Sequence, residues 1–525
     1  MTICRSQRFV YAIALIALLS AFSFGQDSSS QSLGDVARRL RKDTTNEVRM
    51  TDADAKKLFE SVDTIFAFAA EDSGMPKRGV VKRQMVSKTD VEKFTTGRLA
   101  REEFTQRFAQ EELSMKKLGF LPRDFNLRDF LVKSTGQQIA GYYDEETKTI
   151  SLLNWVPWEQ QQPILAHELT HALQDQNYDL HKWMRAALRP TSKASDNQAN
   201  DDGPTARKAV VEGQAMVVYV DYLLAPVHRS LADTPELIYQ MEEPAVKAVA
   251  DSQMLHDAPM ILREAGSFAY TEGLIFEGEL LHKGGKEMAF AGAFARPPRN
   301  SHEVLQPEAY INGEKLPRVG VPDLKQVLGA QYDVYDAGGI GELDVRALLK
   351  QYGERRLASD ISSAWQGGAY VTYVRKDKAA SDSPTTADLA LIYVSKWKTP
   401  QAAERFAHFY ATAVGKRYST ATPQPAAACT ANCPVSTARF STEEGPVIVE
   451  SWSDNRVVVC EGFDAATANK VHSTIHDVAD GVQAATFPGD ENEIALRLRN
   501  IPAFREFTHG IGREIAEEML RNTVR

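Results

Sequence analysis

The sequence predicts an α+β protein in two parts, a mainly helical first part and a strand-rich C-terminal part. Three observations carry this. Up to residue 320 the apolar residues recur mostly at helical spacing, interrupted by one short β-hairpin pattern. Beyond residue 321, short runs rich in Val, Ile, Tyr and Trp alternate with a helical run, the pattern of a small α+β unit. Between the two, residues 296–322 carry many prolines and glycines, which is where a boundary is expected. A chain of 525 residues is also longer than one ordinary core organises. Hydrophobic residues make up 43% and charged residues 25%, so the composition reads as soluble and globular. The net charge of −9, with no basic cluster interleaved with aromatics, argues against a nucleic-acid partner.

Taken in order, residues 1–25 read as a signal peptide. Arg5 and Arg8 precede an apolar run from Phe9 to Phe24, and Ser23 and Gly25 are small residues ahead of Gln26. That run is short for a membrane span, which needs about 20 residues. Cleavage near Gly25 and a secreted or periplasmic protein are therefore expected. No later segment is judged long and apolar enough to span a membrane. Residues 26–51 are polar and expected to be flexible.

From 52 to 320 a helix is expected at 52–70, with Leu58, Val62, Ile65 and Phe66 on one face. A strand is expected at 80–86 and a long helix at 90–117. Gly141–Leu153 reads as a hairpin turning at Asp144–Lys148, and Pro163 is placed in the first turn of the next helix. Residues 189–204 read as a loop, 205–224 as an apolar helix, and 296–322 as a wrap or linker. The C-terminal part, 321–525, shows strand-like runs at 369–374, 389–397, 438–440, 447–453 and 457–462. Helices are expected at 400–414 and after Asp464, and a loop at 419–437. Of Cys429, Cys433 and Cys460, two are expected to form a bridge, leaving one thiol.

The chemistry concentrates in His167-Glu168-Leu169-Thr170-His171. Two histidines four residues apart on a helix point the same way, about 6 Å apart at Cβ. That suits two corners of a tetrahedral zinc shell, and a catalytic shell takes a third protein ligand and leaves a place for water. Glu168 beside them can take a proton from that water without binding the ion itself. Position 177 holds Asn, so a third ligand six residues after His171 is absent. Glu212, in the apolar run Ala209–Ala215, is the best third ligand, because an unpaired carboxylate is costly to bury there. The alternatives are a Glu212–Arg207 pair, or Glu272 as ligand. Tyr270 and His302 are candidates to stabilise an oxyanion. Asp175 is a candidate to hydrogen-bond a ligand histidine, and the edge of the hairpin a candidate to pair with an extended substrate.

The string His167–Ala172 resembles thermolysin-like enzymes, which are gluzincins. The longer string His167–Gln176 (HELTHALQDQ), with VEGQA at 211–215, resembles a bacterial family of exported proteins of uncharacterised function. The stretches 269–273, 284–285 and 297–310 are similar to that family too. The resemblance spans about residues 80–320. It implies a zincin-like catalytic domain, Zn2+ held by His167, His171 and Glu212, Glu168 as general base, and a peptide or protein substrate. The sequence departs from the pattern at Met216 and Gln214, where related proteins carry Asp, and at Gln306, where the bacterial family carries His. The expected function is an exported zinc metallopeptidase. The rivals are a zinc hydrolase of cell-wall amides and a non-catalytic, zinc-stabilised binding protein. All four site residues precede residue 220, so residues 321–525 are expected to be dispensable for the chemistry.

Overall fold

The computed structural model describes residues 50–87, 106–135, 142–188, 202–241, 255–353, 355–378, 384–426, 433–476 and 508–512, and isolated positions besides. The expected signal peptide, nearly all of the 26–51 segment, the first half of the 90–117 helix and Cys429 lie outside the described residues. The chain is α+β.

Helix α1 spans Asp52–Ser73. The Thr51 hydroxyl accepts from the Asp54 N–H at its start, and Gly74, at φ 70°, ends it. Its buried Leu58, Val62, Ile65, Phe66 and Ala69 form one stripe. A three-stranded sheet follows from β1 (Lys82–Val86), β2 (Tyr142–Asp144) and β3 (Thr149–Leu153), in the order β1-β3-β2. β2 and β3 are the expected hairpin, with Tyr143 opposite Ile150, and β1 joins β3 in parallel.

Helix α2, Trp158–Tyr178, begins one turn earlier than expected, so Pro163 lies inside it. The Gln161 side chain ties this start to the hairpin, bonding to Leu153 N–H and to the carbonyls of Leu153 and Val156. Helices α1 and α3 (Gly203–Leu224) pack against it, and α4 (Met260–Glu287) packs against α3. By length and hydropathy Gly203–Val227 would suffice to cross a membrane, which the sequence reading missed; 72% of that window is buried inside the protein. α3 and α4 touch through backbone. A Cβ on Gly213 would lie 2.4 Å from the Gly273 carbonyl oxygen, and one on Gly273 would lie 2.5 Å from that of Ala209. α4 runs into a π-turn at Met288–Gly292. The expected wrap contains two short helices, Ser301–Leu305 and Pro307–Ile311.

The second sheet is antiparallel and seven-stranded. Its strands are β4 (Tyr332–Gly339), β5 (Trp365–Arg375), β6 (Leu389–Trp397), β7 (Ala421–Gln424), β8 (Ser436–Thr442), β9 (Gly445–Ser451) and β10 (Arg456–Glu461), in the order β4-β5-β6-β10-β9-β8-β7. Helices α5 (Glu342–Tyr352) and α6 (Pro400–Arg417) accompany it. β4, α5 and β7 were not expected from the sequence. β4 and β7 are edge strands with mixed exposure, so neither shows clean alternation. Along β6, Leu391 and Tyr393 face one apolar cluster and Ala390, Ile392 and Val394 another, so the strand is covered on both faces. The first cluster also holds Leu58, Val218, Phe276, Leu343, Trp397 and Ile511, so packing runs unbroken across residue 320. Cys433 is disulfide-bonded and Cys460 is a buried free thiol.

Candidate metal centre

Helix α2 presents His167 and His171 one turn apart, and their Nε2 atoms face each other at 3.1 Å. From α3, Glu212 Oε2 lies 3.3 Å from each of those nitrogens. All three residues are buried and form one cluster of potential metal-ligand atoms. Ligand bonds of about 2.0 Å at tetrahedral angles require ligand-to-ligand edges of about 3.3 Å. The three observed edges match that spacing. Glu212 Oε2 is also a buried oxygen without a hydrogen-bond partner. Two ring nitrogens and a carboxylate oxygen at this range repel unless a cation or proton sits among them. The residues present fit a small divalent ion.

The protonation of His171 follows from its neighbours. Gln174, one turn on, places Oε1 2.9 Å from His171 Nδ1. The Gln174 amide nitrogen donates to the Val211 carbonyl and to Gln214 Oε1. Gln214 in turn donates to the carbonyls of Ala289 and Phe290 in the π-turn. Both amides are thereby fixed, so Gln174 Oε1 must accept, Nδ1 must carry the proton, and Nε2 is left for a metal. Gln174 and Gln214 thus do the orienting work for which the sequence suggested Asp175. Asp175 instead accepts from the Tyr143 hydroxyl at 2.8 Å and from Lys148 at 2.5 Å.

Burial disfavours the charged form of each group, but here the groups offset one another. Burial alone pushes the Glu212 carboxyl up, yet the two histidines, aided by His509, hold it well below the carboxylate range. Burial pulls the His171 imidazole down, and Glu212 outweighs this, lifting it to about 9. The metal-free chain therefore keeps a proton where an ion would bind. That proton stabilises the metal-free fold fully below the unfolded value near 6.5, and the gain is lost as pH rises through about 9. A zinc ion bound there would have to displace the proton, so its apparent affinity would be expected to rise about tenfold per pH unit up to about 9 and then level off. Chelator competition at pH 6.5, 7.5 and 8.5 measures this; a flat profile contradicts it.

Glu168 is buried beside the cluster, and its Oε2 accepts from the Tyr143 N–H at 2.9 Å. Burial pushes its carboxyl up, opposed by His171 and His167. The edge strand β2 thus holds the carboxylate at Tyr143. The other candidates sort as follows. Arg207 stacks on Trp183 and bonds to its carbonyl, not to Glu212. Glu272 pairs with Arg346 at 2.6 Å, away from the histidines. His302 is buried against Glu342 at 2.6 Å and does not reach the cluster. Tyr270 lies against His167, with ring centroids 6.2 Å apart.

One further residue reaches the cluster from the C-terminal part, where the spacing of the histidines suggested no metal site. His509 Nε2 lies 3.7 Å from Glu212 Oε1, the oxygen turned away from the imidazoles. The segment that carries it lies across α3 and α4. Lys208 donates to Thr508, Tyr219 donates to the Ala516 carbonyl at 2.7 Å, and Gly512 sits against the Tyr270 ring. Ile511 and Ile515 are fully buried. This corrects the expectation that the site draws only on residues before 220. No local pattern around His509 signals the contact, because only the tertiary fold brings it there.

Residues 328–472 match a family described as a domain of unknown function (DUF8575). No curated protein and no solved structure matched the chain. The matched stretch covers all seven strands of the second sheet and none of the cluster residues.

Proposed function

We propose that the chain is an exported, gluzincin-type zinc metallopeptidase with a zincin-like catalytic domain. The observation that supports this best is the convergence of His167 Nε2, His171 Nε2 and Glu212 Oε2 at tetrahedral spacing with Glu168 pinned beside them. A zinc ion bound there supplies Lewis acidity toward a substrate carbonyl and a water. His167, His171 and Glu212 hold the ion, and Gln174 fixes the ring of His171. Glu168, anchored through Oε2 on Tyr143, has Oε1 to receive the proton of the attacking water and pass it to the leaving amine. Tyr270 walls the His167 side and helps exclude water. An intact Glu168 favours an enzyme over a zinc-stabilised binding protein, since a structural site has no use for that carboxylate.

The test is metal analysis of the purified full chain, followed by incubation with a proteome-derived peptide library with and without chelator. One zinc per chain and chelator-sensitive cleavage are expected. A chain that holds no metal sinks the reading. A zinc-loaded chain that cleaves no peptide transfers the site to another amide substrate or to a structural role.

A further inference from the structure

A second cluster of charged side chains lies at the start of α4, and none of the metal-centre residues lines it. Where Leu121–Arg123, the first turn of α4 and the C-terminal ends of α5 and α6 meet, they line an open cleft of about 510 Å³, with Arg355 and Lys416 exposed at it. Ligand pockets usually fall between about 300 and 1,000 Å³. Six cationic side chains line it: Arg123, Arg263, Lys350, Arg355, Lys416 and Arg417. No Asp or Glu lines it. This is unusual in a chain with a net charge of −9.

Three of the cations have carboxylates behind them, but two of those carboxylates are shared. Arg123 pairs with Glu444, which also holds Lys117. Lys350 pairs with Glu264, which also holds Arg346. Arg417 pairs with Glu461. Of the other three, Arg355 and Lys416 have no carboxylate partner among the described residues, and Arg263 has the carboxylate of Asp257 near it. Arg263 donates to the carbonyls of Ala258 and His256, and Lys416 to that of Tyr352. Arg355 makes no hydrogen bond or ion pair with any described residue. Burial and then Arg355 draw the Arg263 guanidinium below its usual value, against the opposing pull of Asp257. Arg123 Nη2 and Arg417 Nε are buried without a partner, although the Arg417 side chain is only 1% exposed.

The ordinary role of basic residues at a helix end is to complement its dipole. That accounts for Lys350, Lys416 and Arg417, which end α5 and α6. It does not account for Arg263 at the start of α4, where a cation opposes the dipole, nor for Arg355 beside it. Like charges collected in a concavity focus a positive potential. Guanidinium forks match the oxygens of phosphates and carboxylates.

We propose that this cleft binds a small polyvalent oxyanion through Arg263, Arg355 and Lys416, independently of the metal centre. Calorimetric titration of the full chain with pyrophosphate and, separately, with citrate tests it. The two arms distinguish phosphate from carboxylate chemistry, and tight binding of either supports the site. Arg355→Ala has no partner to lose, and Arg263→Gln keeps a donor for the neighbouring carbonyls. Each is expected to weaken binding at least tenfold with thermal stability unchanged, and binding should fall as salt rises. If neither anion binds, or if the wild type and both variants bind alike, as they would for an anion held on the metal, the proposal is overturned.

Discussion

Glu168→Gln is expected to retain zinc and to lose turnover by about 10²–10⁴-fold, the usual size of a general-base contribution. The substitution suits the site. A Gln carbonyl oxygen can still accept from the Tyr143 N–H, and a neutral amide is no costlier to bury than a carboxylate whose charge burial already opposes. His167, His171 and Glu212 are untouched, so metal content should be unchanged. The KM for a peptide substrate should move little, because the lost group acts on a proton and not on the peptide. Metal analysis beside steady-state kinetics gives both readouts. A variant with full metal and full turnover would remove Glu168 from the chemistry. One that loses its metal would make Glu168 part of the ligand set.

His509→Ala is expected to weaken zinc about 10- to 100-fold, the range seen when a group that orients a ligand is removed. Glu212 has one oxygen toward the imidazoles and the other toward His509. Without His509 the carboxylate can rotate, and the third corner loosens. Chelator competition gives the affinity, and the absorption bands of the cobalt-substituted chain report the ligand geometry. His509→Gln, which keeps a donor, should recover part of the loss. A chain stopped before Thr508 should do worse and melt lower, since it also loses buried Ile511, Ile515 and Met519. Unchanged affinity and unchanged bands in His509→Ala would show that Glu212 needs no support from the C-terminal segment.

The legible parts of this protein were those whose cause is local. The stripe of Leu58, Val62, Ile65 and Phe66 is set by helical periodicity, and the hairpin by two β-prone runs around a polar turn. His167 and His171 are paired by the helix itself, and Glu212 stood out as a carboxylate in an apolar run. What the sequence hid depends on tertiary contact. Asp175 has the right spacing from His171, but Tyr143 and Lys148 claim it. Gln174 has an equally suitable spacing, yet its role exists only because Gln214, Val211 and the π-turn fix its amide. His302 looked available until Glu342, a residue on an unexpected helix, proved to be its partner. β4 and β7 were hidden by half-exposed edges, where alternation fails.

The glycine contact between α3 and α4 bears on which ions the centre can accept. Backbone against backbone leaves no side chain to compress, so α3 cannot shift outward or inward by rotamer adjustment, and Glu212 shares that stiffness with its neighbour Gly213. A stiff ring of donors discriminates by size. Calcium prefers six to eight oxygens at about 2.3–2.6 Å, which would demand wider spacing and more oxygen than two imidazoles and one carboxylate provide. An ion held by the cluster would owe part of its size selectivity to two residues that have no side chain, and a methyl group at Gly213, driven against the Gly273 carbonyl, would disturb it.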